Sequence, residues 1–254
     1  MKSSFGNVRK SLCFALVFSQ ARLGWSLSTV AAPSTKPLAD YLPPLENGSQ
    51  RLYLCRHGET DWNVQGRIQG GGYDVPLNDN GRRQAQLLAA ALHDVKLDVV
   101  ASSDLERADE TADMIYRSQA YRRPRRIISG KLKEMRFGDD WEGVVWKERA
   151  SAFQQVNEMI NKHRHLEWPN GGESTEAVAK RAEHAVLNQV LDDDGNNHVC
   201  CVAHGRVNRI LLEHFLDTDC LPKQVNAGIN VLDRCPEGKW TLRVYNYRNH
   251  LLDE

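Results

Sequence analysis

Two stretches of the chain place a histidine and a glycine directly after an apolar, β-type run. Leu52-Tyr53-Leu54-Cys55 leads into Arg56-His57-Gly58, and Val199–Ala203 leads into His204-Gly205. An imidazole with one bare ring nitrogen, its orientation fixed by a bond at the other, is a good acceptor for a phosphoryl group. A phosphomonoester carries close to two negative charges at neutral pH, and planar arginine forks match its oxygens in pairs. Arg56 lies beside His57, and Arg107 stands at the start of a helical pattern. The chemistry these residues suit is phosphoryl transfer to His57, with His204 as a second imidazole stabilising the charge that develops on the transferring group. Arginine and imidazolium neutralise charge that Mg²⁺ handles in other phosphoryl-transfer sites, so this chemistry calls for no metal and no cofactor. A leaving alkoxide also needs a proton, and the water that cleaves a phosphoenzyme needs a base; one carboxyl of raised pKa serves both in turn. Glu59, two residues after His57, is one candidate.

Such residues must be held at the ends of regular elements. β-type runs occur at Arg51–Cys55, Asp98–Ala101, Arg126–Ile128, His198–Ala203 and Thr241–Asn246. Between them, helical periodicity covers Gly81–His93, Leu105–Ser118, roughly 174–191 and Val207–Phe215. Glu173-Ser174-Thr175-Glu176 supplies a capping hydroxyl and early acids at the third of these helices. Strands alternating with helices predict an α/β fold, a three-layer α/β/α sandwich around a largely parallel sheet. In such folds ligands bind just beyond strand C-termini, where both His-Gly pairs lie. The segment 138–172, rich in Trp, Asn and His, is expected to form an accessory helix and loop over one sheet edge.

The 254 residues carry 33 Lys+Arg against 33 Asp+Glu. This balance lacks the basic footprint of a general nucleic-acid binder, and no apolar run reaches the length of a membrane-spanning helix. Six cysteines without CxxC or regular spacing argue against a disulfide scaffold or zinc ribbon. The neutral total hides an asymmetry. Residues 1–39 contain Lys2, Arg9, Lys10, Arg22 and Lys36 and no acid, with a short apolar stretch from Leu12 to Phe18. This reads as a targeting segment over 1–32, directing the protein to a chloroplast or mitochondrion, with the secretory route or a cytoplasmic protein with a disordered tail as alternatives. Pro33, Pro37, Pro43 and Pro44 make 33–50 an extended linker, and 51–254 the folded domain.

Arg56-His57-Gly58 opens a longer string, Glu59-Thr60-Asp61-Trp62-Asn63-Val64-Gln65-Gly66-Arg67-Ile68-Gln69-Gly70. It is followed in order by Pro76-Leu77 with Gly81, Ser102-Ser103-Asp104-Leu105-Glu106-Arg107-Ala108, Glu134 leading to Trp141-Glu142-Gly143, and Ala203-His204-Gly205. Together, over about 51–250, these blocks resemble the histidine phosphatase superfamily, the phosphoglycerate mutase-like proteins. The resemblance implies that His57 is the nucleophile and Glu134 the acid/base, leaving Glu59 a structural or solvated carboxylate. It implies that Arg56, Arg107 and His204 bind the phosphate, that Asn63 and Gln69 aim amides at substrate oxygens, and that Arg67 binds substrate or braces the loop at the pocket mouth. Thr60 either donates to the phosphate or caps the following turn.

Within the family, cofactor-dependent mutases carry a Tyr three residues after the acid/base Glu and an adjacent Arg pair further on. This chain has Phe137 there and no adjacent Arg pair between 138 and 172. With Trp168-Pro169-Asn170-Gly171-Gly172-Glu173-Ser174, this resembles the branch of small-molecule phosphatases. The expectation is a metal-independent phosphomonoester hydrolase acting on a small phosphorylated metabolite. A phosphoglycerate mutase, a protein phosphatase of the same superfamily and an inactive binding module are the alternatives. One departure stands out: Phe137-Gly138-Asp139-Asp140-Trp141-Glu142-Gly143 has one residue more than the family's usual spacing, on the pocket rim.

Other features carry plainer expectations. Arg122-Arg123-Pro124-Arg125-Arg126 reads as a solvated loop, with steering of anions as the alternative. His163, His165 and His184 lack the ligand spacing of a metal site. Cys200 and Cys201, adjacent on a strand, must face opposite sides of the sheet. Cys55 adjoins Arg56, which raises the question of oxidation sensitivity. Arg206 is expected on the helix surface, with substrate contact as the alternative.

Overall fold

The computed structural model describes residues 36–192, 195–219 and 221–252. The targeting segment expected over 1–32, with Cys13, and Cys220 lie outside the described residues. Six strands form one sheet: β1 (Gln50–Arg56), β2 (Val99–Ser102), β3 (Arg125–Ile128), β4 (His198–Ala203), β5 (Ile229–Arg234) and β6 (Trp240–Tyr247). Their order is β3-β2-β4-β1-β5-β6; β1 to β4 run parallel, and β5 pairs antiparallel with both β1 and β6.

The helices are α1 (Asp61–Val64), α2 (Asp79–Ala91), α3 (Glu106–Ser118), α4 (Ala150–Lys162), α5 (Thr175–Ala185) and α6 (Gly205–Leu216). Alternation along β1 divides the core. Leu52 and Leu54 face a layer with Val178, Ala182, Ile210 and Leu211 of α5 and α6, while Tyr53 and Cys55 face Leu88, Ala108, Ala112 and Ile115 of α2 and α3. The three-layer α/β/α reading holds. The two adjacent cysteines divide as expected, Cys201 on the α5–α6 side and Cys200 on the α2–α3 side.

Capping follows local sequence. The side chain of Asn78 accepts from Gly81 N at the start of α2, and Ser174 from Ala177 N at the start of α5. Thr60 and Asn63 make a capping box around the single turn α1. The expected helix over 174–191 ends its α-helical part at Ala185 and continues as a π-helical turn over Val186–Val190.

Two expectations change. Strand β5 was not legible, because a buried Asn230 interrupts its apolar run; its amide donates to Leu54 O and Gln224 Oε1, so the polar group is satisfied inside the sheet. The stretch expected as a linker makes domain contacts from Lys36 onward. Leu38 is buried in a 3₁₀ turn over Leu38–Tyr41, Tyr247 Oη donates to Lys36 O, and Arg51 donates to Pro43 O. No helix among the described residues is long and apolar enough to cross a membrane.

The parallel strands β1 and β4 are neighbours, yet the chain leaving β1 goes to β2 on one side and the chain leaving β4 goes to β5 on the other. That divergence opens a crevice beyond their C-terminal ends. Both His-Gly pairs sit there.

Candidate active site

His57 follows directly on β1, and its backbone is pinned: His57 N donates to Ala203 O at 3.1 Å, and His57 O accepts from Ala227 N at 3.1 Å. Gly58 N donates to Thr111 Oγ1, and a side chain at Gly58 would collide with Gly81 O, 2.3 Å from an added Cβ. The turn after the histidine is thus packed backbone to backbone against α2. His57 Nδ1 donates to Gly58 O at 2.6 Å. This bond fixes the tautomer and leaves the lone pair on Nε2. Burial, then Arg107 and Arg56, hold the ring well below the usual histidine range, so His57 is neutral.

His204 follows β4 and is the N-cap of α6; its ring centroid is 5.2 Å from that of His57. It is fully buried and held neutral by burial, then by Arg107, His57 and Arg56. Neither of its ring nitrogens has a hydrogen-bond partner among the described residues. The same is true of Arg56 Nε, Arg107 Nε and Gln69 Nε2, all buried. Buried polar groups are nearly always paired, and leaving one unpaired costs ~1–3 kcal/mol. Five such atoms come from residues the sequence assigns to one site. All of them either are donors or become donors on protonation. Such a set is built for an anion.

The rest of each arginine is fixed. Arg56 Nη1 donates to Gln224 O at 2.7 Å, while Arg107 donates to Tyr73 O and Gly70 O. Burial pulls the Arg107 guanidinium down to about 10, still cationic at neutral pH.

Glu134 lines the same cleft as Arg56 and His57 and reaches the start of α6. Its Oε1 accepts from Met135 N at 2.8 Å and Val207 N at 3.1 Å, and its Oε2 accepts from Arg206 N at 3.1 Å. Burial pushes its carboxyl above the usual range, while these amides, Arg107 and Arg56 oppose the rise. Arg181 of α5 holds the backbone that carries it, donating to the carbonyls of Lys131, Lys133 and Glu134 and paired with Glu173.

Glu59, the rival carboxylate, accepts from Asn78 Nδ2 and Asn80 Nδ2, a loop brace. Arg67 is also a brace, tied to Gln65 Oε1 and Gly143 O, though it lines the cleft. Thr60 caps α1 and donates to Gln69 Oε1. Asn63 Nδ2 donates to the same Gln69 oxygen, which turns the buried Gln69 Nε2 into the donor left over. Of the two amides expected at the substrate, Gln69 therefore keeps a free buried donor, and Asn63 supports it.

The extra residue at Asp139-Asp140 is absorbed in the rim. Gly138 has φ +91° and approaches Pro169 O so closely that an added Cβ would be 2.0 Å away. Asp139 pairs with Arg136, Asp140 accepts from Asn170, and Glu142 still reaches back to Phe137 N and across to Gly72 N. Arg122, Arg125 and Arg126 pair with Asp98, Asp192 and Asp109 on the β2–β3 side of the sheet and do not line the cleft. No cluster of three His, Cys, Asp or Glu groups among the described residues is placed to hold a metal ion.

Sequence reasoning missed Asn226 and Gln224, on the loop before β5. Asn226 Nδ2 bonds the carbonyls of His57 and Gly58 and the side chain of Asn63, joining the catalytic turn to the amide network. Ala227 beside it has φ +54°, a strained conformation held by its bond to His57 O. The missed strand hid the loop that leads into it.

The cleft has a volume of about 810 Å³, and Trp146, Phe153 and Asn157 and the 222–226 loop contribute to its lining. Its two buried neutral histidines have a measurable consequence. An unfolded histidine takes up a proton near pH ~6.5, whereas these two, with lowered folded pKa values, do not. Stability should therefore be full above about pH 6.5 and fall as pH drops below it, by up to ~1.4 kcal/mol per pH unit for each ring. Urea midpoints measured from about pH 8 to about pH 5 should decline, and less steeply in His204→Asn; equal slopes in the two proteins would refute this.

The model of the histidine phosphatase superfamily (branch 1) matches residues 52–248, and the chain belongs to that superfamily. It is 34% identical over 209 residues to the metal-independent phosphoserine phosphatase of Arabidopsis thaliana, covering 82% of this chain and 85% of that protein. Phosphoglycerate mutase-like protein 4 of Arabidopsis thaliana is 34% identical over 203 residues, covering 79% of this chain and 86% of that one. Among solved structures, a mycobacterial glucosyl-3-phosphoglycerate phosphatase superposes with a TM-score of 0.68 at 28% identity, covering 79% of this chain and all of that one.

Proposed function

We propose that this member of the histidine phosphatase superfamily is a metal-independent phosphomonoester hydrolase acting on small phosphorylated metabolites through a phosphohistidine at His57. The observation that carries it is the set of buried nitrogens on Arg56, Arg107, Gln69 and His204 that have no partner among the described residues, beside a neutral His57 whose Nδ1 is already bonded. In the first step His57 Nε2 forms a bond to phosphorus, the bond to the ester oxygen breaks, and Glu134 gives that oxygen its proton. In the second, Glu134 takes a proton from water as the water attacks phosphorus, and the N–P bond breaks to release phosphate. Arg56, Arg107 and His204 hold the phosphoryl oxygens through both steps. Phosphatase relatives at 34% and 28% identity support hydrolysis, and so does Phe137 in the position where mutases carry Tyr.

The test is phosphate release by the full-length protein from a panel of phosphorylated metabolites with EDTA present, followed in parallel with interconversion of 3- and 2-phosphoglycerate. Release undiminished by EDTA is the expected result. Interconversion that needs 2,3-bisphosphoglycerate and yields no net phosphate would replace the hydrolase with a mutase.

A further inference from the structure

Five cations line the cleft, and the transferable phosphate does not account for all of them. Its two charges are met by Arg56 and by the buried Arg107 behind it. Arg67 is tied to Gln65 and Gly143, and Arg209 Nε faces Glu213 Oε1 at 3.6 Å. Arg206 and Lys223 remain. Arg206 is the second residue of α6, next to Gly205, whose position lies 3.3 Å from Arg56 Nε measured from an added Cβ. Its Nη2 donates to Asn161 Oδ1 of α4 at 2.6 Å, which holds the side chain across the cleft wall. Its Nε is buried and has no partner among the described residues. An arginine merely resting on a helix surface would turn that nitrogen to water.

Lys223 lines the same cleft from the loop before β5. The next residue, Gln224, offers its carbonyl to Arg56 Nη1 at 2.7 Å, so Lys223 stands beside the phosphate clamp. No carboxylate pairs with it among the described residues, and burial and the charge of Arg56 both hold its ammonium below the usual lysine range. The two carboxylates lining the cleft, Glu134 and Glu59, are engaged by backbone amides and by Asn78 and Asn80.

We infer that Arg206 and Lys223 form a second anion subsite, so that the preferred substrate is a small phosphomonoester bearing another anionic group, a carboxylate or a second phosphate. This rests on the hydrolase reading. Arg206 contacts the second anion through its side chain while its backbone amide serves Glu134.

Matched substrate pairs test it. Phosphoserine and phosphoethanolamine differ only by a carboxylate, and fructose 1,6-bisphosphate and fructose 6-phosphate only by a second phosphate. The wild-type protein should prefer the anion-bearing member of at least one pair by ~10–100-fold in kcat/KM. The pair that shows the preference identifies the anion. Arg206→Ala and Lys223→Ala should each shrink that preference by ~10-fold, mainly through KM. Hydrolysis of both members at equal kcat/KM in both pairs would overturn the subsite and leave the hydrolase standing. Equal loss on both members in Arg206→Ala would also overturn it, assigning that side chain to the bond with Asn161 that ties the start of α6 to α4. If neither pair nor p-nitrophenyl phosphate is hydrolysed, the hydrolase reading falls and takes the subsite with it.

Discussion

His57→Ala should abolish turnover, lowering kcat by on the order of 10⁴-fold or more, and with it the acid-labile phosphoenzyme. The reason lies in how the ring is held. The 2.6 Å bond from Nδ1 to Gly58 O places the proton, so Nε2 carries the lone pair without any neighbouring base to remove a proton. Burial and two arginines keep the ring from protonating, which would cancel its nucleophilicity. Removing the imidazole leaves the arginines and His204 able to bind phosphate, so a binding module and an enzyme give different results. Rapid quench with a ³²P-labelled ester, followed by acid and base treatment, checks for the phosphohistidine directly. Substantial phosphate release by a correctly folded His57→Ala protein would refute the mechanism.

Glu134→Gln should slow turnover by ~10²–10⁴-fold. Glutamine cannot deliver or take the proton. It also keeps a single acceptor oxygen where the carboxylate accepts three backbone N–H bonds, from Met135, Arg206 and Val207. A leaving group that needs no proton separates these two effects. With p-nitrophenyl phosphate the first step should be nearly restored while the second, which needs a base, stays slow. The variant should then release one burst of nitrophenol per enzyme and accumulate phosphohistidine. A first step equally slow with good and poor leaving groups would show that the carboxylate matters only as the cap of α6.

Cys55 and Cys200 illustrate how far a sequence-level concern extends. Their sulfurs are 3.9 Å apart and both are fully buried; the contact with Cys200, then burial, push the Cys55 thiol up. Reactivity belongs to the thiolate, so this pair behaves as core.

Much of the site was legible because its chemistry demands particular residue types at element ends. Apolar runs into Arg56-His57 and His204 mark two strand C-termini, and helical periodicity after each fixes a parallel α/β layer arrangement. Linear order could also propose Glu134, through the resemblance of its surrounding block. It could not show that Glu134 would span to the first amides of α6, 72 and 73 residues away.

The sequence by itself pointed to His57 as the candidate nucleophile and to Arg56 and Arg107 as candidate phosphate-binding cations, and it determined the opposite facing of Cys200 and Cys201 and the layered α/β architecture, since these follow from residue type and local period. Tertiary structure alone decided the rest. It placed β5 antiparallel beside β1 despite its buried Asn230, brought Asn226 and Gln224 against the turn that carries His57, and supplied the protein partners that Glu59, Arg67 and Asn63 bond. Among the described residues it also left Arg206 and Lys223 without carboxylate partners, each next in the chain to a residue that meets Arg56. The physical reason for the polar residues is that whether a side chain is a brace or a ligand depends on whether its hydrogen-bonding atoms are already paired. The partners that decide this are distant in the chain.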